Sequence, residues 1–219
     1  MSKLVWDEQG KKTYETGLDH GVLYPIDDHN TYSKGVAWNG LTGFTESPSG
    51  ADSTAIYADN IKYLSLTAAE DFGGTIEAVT YPPEWEECDG SAEVVPGVVV
   101  TQQNRKVFGF CYRTILGNDA AGNDYGYKLH LIYGAKASPS ERAYASINDS
   151  PEAITFSWEI TTTPVEVDNT HKPTARLIID STKVDGVKLK KLEDILYGDD
   201  SNEARLPMPA EVISLLTAG

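Results

Sequence analysis

Val107-Phe-Gly-Phe-Cys-Tyr-Arg-Thr-Ile-Leu116 and Tyr125-Gly-Tyr-Lys-Leu-His-Leu-Ile-Tyr133 are two runs on either side of one turn, and their reading decides the fold. In the first, Phe108, Phe110, Tyr112, Thr114 and Leu116 fall on one face of an extended chain. In the second, Tyr125, Tyr127, Leu129, Leu131 and Tyr133 do the same, with Lys128 and His130 opposite. Strand side chains alternate between faces, so each run predicts a strand with one well-buried side. Gly117 to Asp124, rich in turn formers, joins them into a long antiparallel hairpin.

The same alternation extends outward from this hairpin. Downstream, Ile154, Phe156, Trp158 and Ile160 alternate with Thr155, Ser157, Glu159 and Thr161, and Ala175 to Ile179 predicts a last strand. Upstream, Phe72 to Tyr81 sets Phe72, Gly74, Ile76 and Ala78 against Thr75 and Glu77. Further upstream, Leu41 to Thr45 and Thr54 to Tyr57 flank a breaker cluster, Ser47 to Asp52, and read as a hairpin with a long exposed tip. Ile61 to Leu66 adds a short strand.

Helical signals are fewer. Pro82-Pro-Glu-Trp-Glu-Glu87 predicts a short helix closed at Gly90. Ser138-Pro-Ser-Glu141 spells a capping box and predicts a helix from Pro139 to about Ser146, followed by a turn over Asn148 to Pro151. Asp185 can cap a helix over 186–197 carrying Leu189, Leu192, Ile195 and Leu196 on one stripe, stopped at Gly198. A last short helix is expected near Glu211 to Leu216. The fold class is therefore mainly β: an antiparallel β-sandwich or partial barrel with a flanking α-helix and short helices. Residues 1–19 read as a flexible N-terminal arm, 20–197 as the β-domain, and 198–219 as a C-terminal extension.

The chain has 219 residues, 40% of them hydrophobic and 10% aromatic, enough for a real core. Lys and Arg total 18 against 33 Asp and Glu, a net charge of -15. Such a surface repels phosphate and argues against nucleic acid as a tightly held ligand, although DNA passing nearby is compatible with it. Cys88 and Cys111 have no zinc or CxxC spacing and read as a reduced, buried pair. Met1 to Asp7 turns acidic before any apolar run develops, and no stretch approaches a membrane span, so a soluble product made in the cytoplasm is expected.

The sequence offers little for catalysis. His20, His29, His130 and His171 are scattered without HExxH spacing, no serine sits in a GxSxG elbow, and no phosphate-cradling loop is present. Neither an enzyme nor a cofactor nor a metal is expected. Asn118 to Asp124 is dense in oxygen ligands but lacks the DxDxDG order of a calcium loop, and a hairpin tip explains it. Tyr112, Tyr125, Tyr127 and Tyr133 with Trp158 suggest a sugar-stacking platform, the motive for an alternative reading as a carbohydrate-binding β-sandwich module. Their alternation favours core or subunit-interface packing.

Several segments taken in order carry a resemblance. They are Tyr57-Ala-Asp-Asn-Ile-Lys-Tyr-Leu64, Glu70-Asp-Phe-Gly-Gly-Thr-Ile-Glu-Ala78, Tyr81-Pro-Pro-Glu-Trp85, Phe108-Gly-Phe-Cys-Tyr-Arg-Thr114, Gly117-Asn-Asp119, Tyr125-Gly-Tyr-Lys-Leu-His130, Ala137-Ser-Pro-Ser-Glu141 and the run from Asn148 to Glu159. From roughly residue 20 to 197 this collinear series resembles the major tail tube proteins of tailed bacteriophages, in particular siphophages of Gram-positive hosts. The resemblance implies two packed antiparallel sheets flanked by a helix, assembling as a homo-oligomer of hexameric rings stacked into a tube. It implies a tape-measure protein, tail terminator and distal tail proteins as partners, and DNA passing through the lumen without specific binding. It also implies a structural, non-enzymatic role in the virion tail, with assembly in the host cytoplasm. On that expectation Ser47, Pro48, Ser49, Gly50, Ala51 and Asp52 are the inter-ring loop candidates. Glu77 and Glu159, on the less apolar faces of their strands, are candidates for an acidic lumen, which would spare passing DNA the attraction of counterion release.

Overall fold

A computed structural model of the chain describes residues 3–147, 149 and 153–217. The strands are β1 (Thr13–Pro25), β2 (Val36–Ala37), β3 (Leu41–Glu46), β4 (Ser49–Gly50), β5 (Ser53–Ala58), β6 (Ile61–Thr67), β7 (Glu70–Asp71) and β8 (Gly73–Ala78). After the short helix α1 (Trp85–Asp89) come β9 (Ala92–Val95), β10 (Val98–Val100), β11 (Phe108–Asn118), β12 (Gly122–Ala137), β13 (Phe156–Thr162) and β14 (Arg176–Asp180). The helices α2 (Gly186–Tyr197) and α3 (Pro209–Thr217) follow.

The hairpin read from Val107 to Tyr133 is the centre of the molecule. β11 and β12 pair antiparallel, with Tyr112 opposite His130 and Thr114 opposite Lys128. Around them an eight-stranded sheet runs in the order β2-β1-β11-β12-β13-β8-β3, with β14 also on β12. β12 turns at Gly134, whose φ is +59°, and a Cβ there would stand 2.2 Å from the Thr163 carbonyl oxygen, so only glycine fits. Before the turn β12 pairs with β14, Leu129 opposite Ile179; after it, β12 pairs with β13, Ala135 opposite Thr162. One strand thus belongs to two layers, β2-β1-β11-β12-β14 and β13-β8-β3. On the far side Leu41 of β3 packs over Gly21 of β1, which brings the two ends of the sheet together. The result is the antiparallel sandwich, rolled into a partial barrel, that the alternation predicted.

Two cores follow from this geometry. Between the layers lie Phe108, Phe110 and Tyr112 of β11, Ile76 and Ala78 of β8, and Trp158 and Ile160 of β13. Trp38, Trp85 and Trp158 meet there with ring centroids 4.7 to 5.6 Å apart, at tilted and edge-on angles suited to aromatic quadrupoles. The second core lies on the other face, where Tyr24, Cys111, Leu129, Leu131 and Tyr133 meet Leu189, Leu192 and Leu196 of α2 and Val212 of α3. β11 is therefore buried on both faces in its first half, which is why Cys111 is as inaccessible as Phe110. Both cysteines are free and buried, and burial pushes each thiol up to about 12. The cap expected for α2 is present: the Asp185 carboxylate accepts the N–H groups of Val187 and Lys188 at 3.0 and 3.2 Å.

Three expectations are corrected. The arm placed at residues 1–19 ends earlier, because 13–19 belong to β1 and pair with β11, Glu15 opposite Leu116. Its polar side chains are satisfied across the sheet: Asp19 takes both guanidinium bonds of Arg113, and Glu15 takes bonds from Thr114 and Lys128. The extension expected over 198–219 is, through residue 217, part of the second core, where Leu206 and Val212 are buried and Tyr133 donates to the Pro207 carbonyl. The helix expected from Pro139 to Ser146 does not form. Ser138 N–H donates to Glu159 O, and the Ser140 hydroxyl accepts from Glu159 N–H, so the capping groups serve the neighbouring strand. Between α1 and β11 a hairpin absent from the sequence reading, β9–β10, turns at Pro96-Gly97. The turn expected at Asn148 to Pro151 lies, apart from Asp149, outside the described residues.

Candidate functional site

The hairpin expected around Ser47 to Asp52 is a different and larger object. β3 pairs with β8, β4 with β7 and β5 with β6, in one antiparallel succession from Leu41 to Ala78. Backbone bonds bridge the joints: Ser47 N–H to Gly73 O, Ala51 N–H to Ala69 O and Ala68 N–H to Asp52 O. Ser47, Pro48, Ser49, Gly50, Ala51 and Asp52 are exposed, but they form one side of the shaft of this finger. Gly50, at φ +80°, lies where a Cβ would stand 2.4 Å from the Ala69 carbonyl oxygen, and this close approach lets the ladder continue past the breaker cluster. The tip is Asp59-Asn60, where both residues have positive φ, as a two-residue turn of the I′ type requires. The Asp-Asn pair between Tyr57 and Ile61 was the available signal.

The distal finger is unusual in composition for an exposed ribbon. All seven residues of β6 are exposed, including Ile61, Tyr63 and Leu66, and Tyr57 of β5 is exposed beside them. Among the described residues β5 and β6 pair only with each other. A two-stranded ribbon is at best marginally stable alone in water, so apolar side chains on both its faces point to a surface that is covered in use.

Glu77 and Glu159 lie on one polar face, opposite the aromatic core. In the β13–β8 register Ser157 faces Glu77 and Glu159 faces Thr75, so Glu77 and Glu159 are diagonal neighbours, with backbones about 7–8 Å apart at that spacing. Both are exposed. Lys136, opposite Thr161, shares the face one strand away, a cation that sequence reading did not associate with them.

The most chemically suggestive cluster surrounds His130, which is 5% exposed and stacks on Tyr112 with ring centroids 4.5 Å apart. Thr114 Oγ1 donates to Glu15 and lies 2.9 Å from His130 Nε2, so its oxygen accepts from the imidazole N–H. That leaves His130 Nδ1 bare, buried and without a partner. Burial lowers the His130 pKa, opposed by Glu15 and Glu46 and aided by Arg176 and Lys128. A nucleophile–base pair needs the histidine to accept the hydroxyl proton and a third group to orient its other nitrogen; neither condition is met.

The tyrosine platform is not assembled as an exposed surface. Tyr112, Tyr133 and Trp158 are buried, and Tyr127 bonds through its hydroxyl to Glu193, which leaves Tyr125 alone at the surface. Among the described residues no group of three or more His, Cys, Asp and Glu side chains is placed to hold a metal ion, and no helix is long and apolar enough to cross a membrane.

No protein-family model matches the chain, and no curated protein matches it. Among solved structures it is similar to a chain from an extracellular contractile injection system, the PVC sheath-tube complex in the extended state. Identity is 12%, the match spans 74% of this chain and 88% of the other, and the TM-score is 0.32, an overlap too slight to carry an argument.

Proposed function

We propose that this chain is a self-assembling structural subunit of a phage-type tail tube, forming hexameric rings that stack into a conduit for DNA. The observation that carries the reading is the finger: a β-ribbon with exposed Ile61, Tyr63 and Leu66 and, among the described residues, no third strand. A monomer gains nothing from such a ribbon, whereas a ring-and-stack assembly covers it. Joining sheets across subunits would also pair the free edges of β2 and β3, which otherwise invite uncontrolled pairing. The collinear sequence resemblance supports the same reading. On it, the Asp59-Asn60 tip reaches the next ring, with Ser47 to Asp52 as its shaft. The face bearing Glu77, Glu159 and Lys136 lines the bore. The tape-measure, terminator and distal tail proteins would be the partners of such a tube, and the virion tail its place.

The test is negative-stain electron microscopy of the purified protein across a concentration series, paired with its solution mass. Hollow rings or tubes are expected. A strict monomer at every concentration, unchanged by a tape-measure protein, overturns the reading.

A further inference from the structure

The β9–β10 ribbon has no place in the reading above. Val94, Val95, Val98, Val99 and Val100 are between 38% and 62% exposed, on both faces of a hairpin that pairs, among the described residues, only with itself. Its turn is well made: Gly97, at φ +83° after Pro96, donates its N–H to Glu93 at 2.7 Å. The exposed valines therefore belong to an ordered ribbon, and a run of β-branched residues on open strands is a surface that needs an occupant.

Charge selects that occupant. The chain carries a net charge of -15, so bringing two copies together over most of their surfaces opposes like charges. Two exposed β-ribbons carry almost no charge. Residues 53–67 hold only Asp59 and Lys62, and residues 92–100 hold only Glu93. Both are apolar two-stranded ribbons that, among the described residues, pair only with themselves, and Lys62 of one is opposite in sign to Glu93 of the other.

We infer that the β9–β10 ribbon is the docking surface for the β5–β6 finger of a second copy of this chain, valines against Ile61, Tyr63 and Leu66. This rests on the self-assembly proposed above and names the surface that receives the finger. The two surfaces differ, so the contact is heterologous: each bound pair still presents one free finger and one free ribbon, and the contact propagates.

Two variants test it, both altering only exposed side chains. Val94→Asp/Val99→Asp removes the ribbon surface, and Tyr63→Asp/Leu66→Asp removes the finger surface; each should unfold at the wild-type urea midpoint. Each should raise the concentration at which assembly begins on the order of a hundredfold, because an unpaired carboxylate is costly in an apolar contact. Mixed, the two variants should form a 1:1 complex by analytical ultracentrifugation, since each supplies the surface the other lacks. Val94→Lys/Val99→Lys should fail as the aspartate form does, which separates loss of apolar contact from added negative charge. A ribbon variant that assembles like wild type, or two variants that do not pair when mixed, overturns this docking while tube formation by wild type still stands. A wild-type protein that stays monomeric overturns both.

Discussion

At the scale of single residues, the informative side chain is His130. With Nε2–H committed to Thr114 and Nδ1 bare and buried, protonation would create an N–H with no acceptor. Its folded pKa is accordingly depressed below the usual 6.5, burial being the main cause. The unfolded chain therefore binds more protons than the folded one as pH falls below about 6.5, so this residue contributes stability above that pH and loses it on acidification. We expect the urea midpoint of the wild type to fall between about pH 7 and 5, a window above the range of ordinary carboxylates. His130→Phe keeps the ring against Tyr112 and should flatten that slope; an equal slope in both proteins would show that His130 is not its source. In sequence His130 looked like an ordinary surface or interface residue, because it shares the less apolar face of its strand with Lys128. The partial barrel turns that face inward at residue 130, under Tyr112, while Lys128 stays near the rim with Glu15.

At the scale of elements, the finger and the central hairpin show what alternation can and cannot reveal. Phe108 to Leu116 and Tyr125 to Tyr133 were legible as strands because burial on one face imposes period two. The finger has no buried face beyond its base, so its pairing leaves no such trace in the sequence. Ser47 to Asp52 was read as a tip because proline, glycine and serine mark turns, yet Gly50 uses its positive φ to let two strands pass closely. Since, among the described residues, β5 and β6 pair only with each other, replacing Ser53 to Thr67 by Gly-Gly should leave the urea midpoint of the body unchanged and abolish assembly. A large drop in that midpoint would mean that the finger also supports the core. The capping box at Ser138 failed for a related reason: the Ser138 N–H and the Ser140 hydroxyl found a better-placed partner in the backbone of Glu159 of β13.

For the whole molecule, the consequential departure is at the C-terminus. Residues 198–217 are not an appendage: Leu206 and Val212 fill the second core, and Tyr32 and Tyr133 bond to the backbone around them. Removing these residues deletes the burial of Leu206 and Val212, a loss of about 3–6 kcal/mol at 1.5–3 kcal/mol each. That is a large share of the roughly 5–15 kcal/mol that holds a domain together. A chain ending at residue 197 should show a much lower urea midpoint or an uncooperative transition; wild-type stability would mean that α2 alone suffices to cover the sheet.

The amino-acid order alone was enough to establish the β class, the central hairpin, the strand around Trp158 and the capped α2, because each depends on neighbours a few residues away. Period-two burial, an Asp at a helix start and a glycine at its end are local signals. Contacts between distant residues decided the rest. Which face of β11 counts as interior depends on α2 lying over Cys111, and where β1 begins depends on Thr13 and Glu15 pairing with the distant Asn118 and Leu116. The finger and the valine ribbon stand apart for the opposite reason: among the described residues no further strand pairs with them to reveal their purpose, and on the reading proposed above their exposed apolar residues gain meaning beside a second copy.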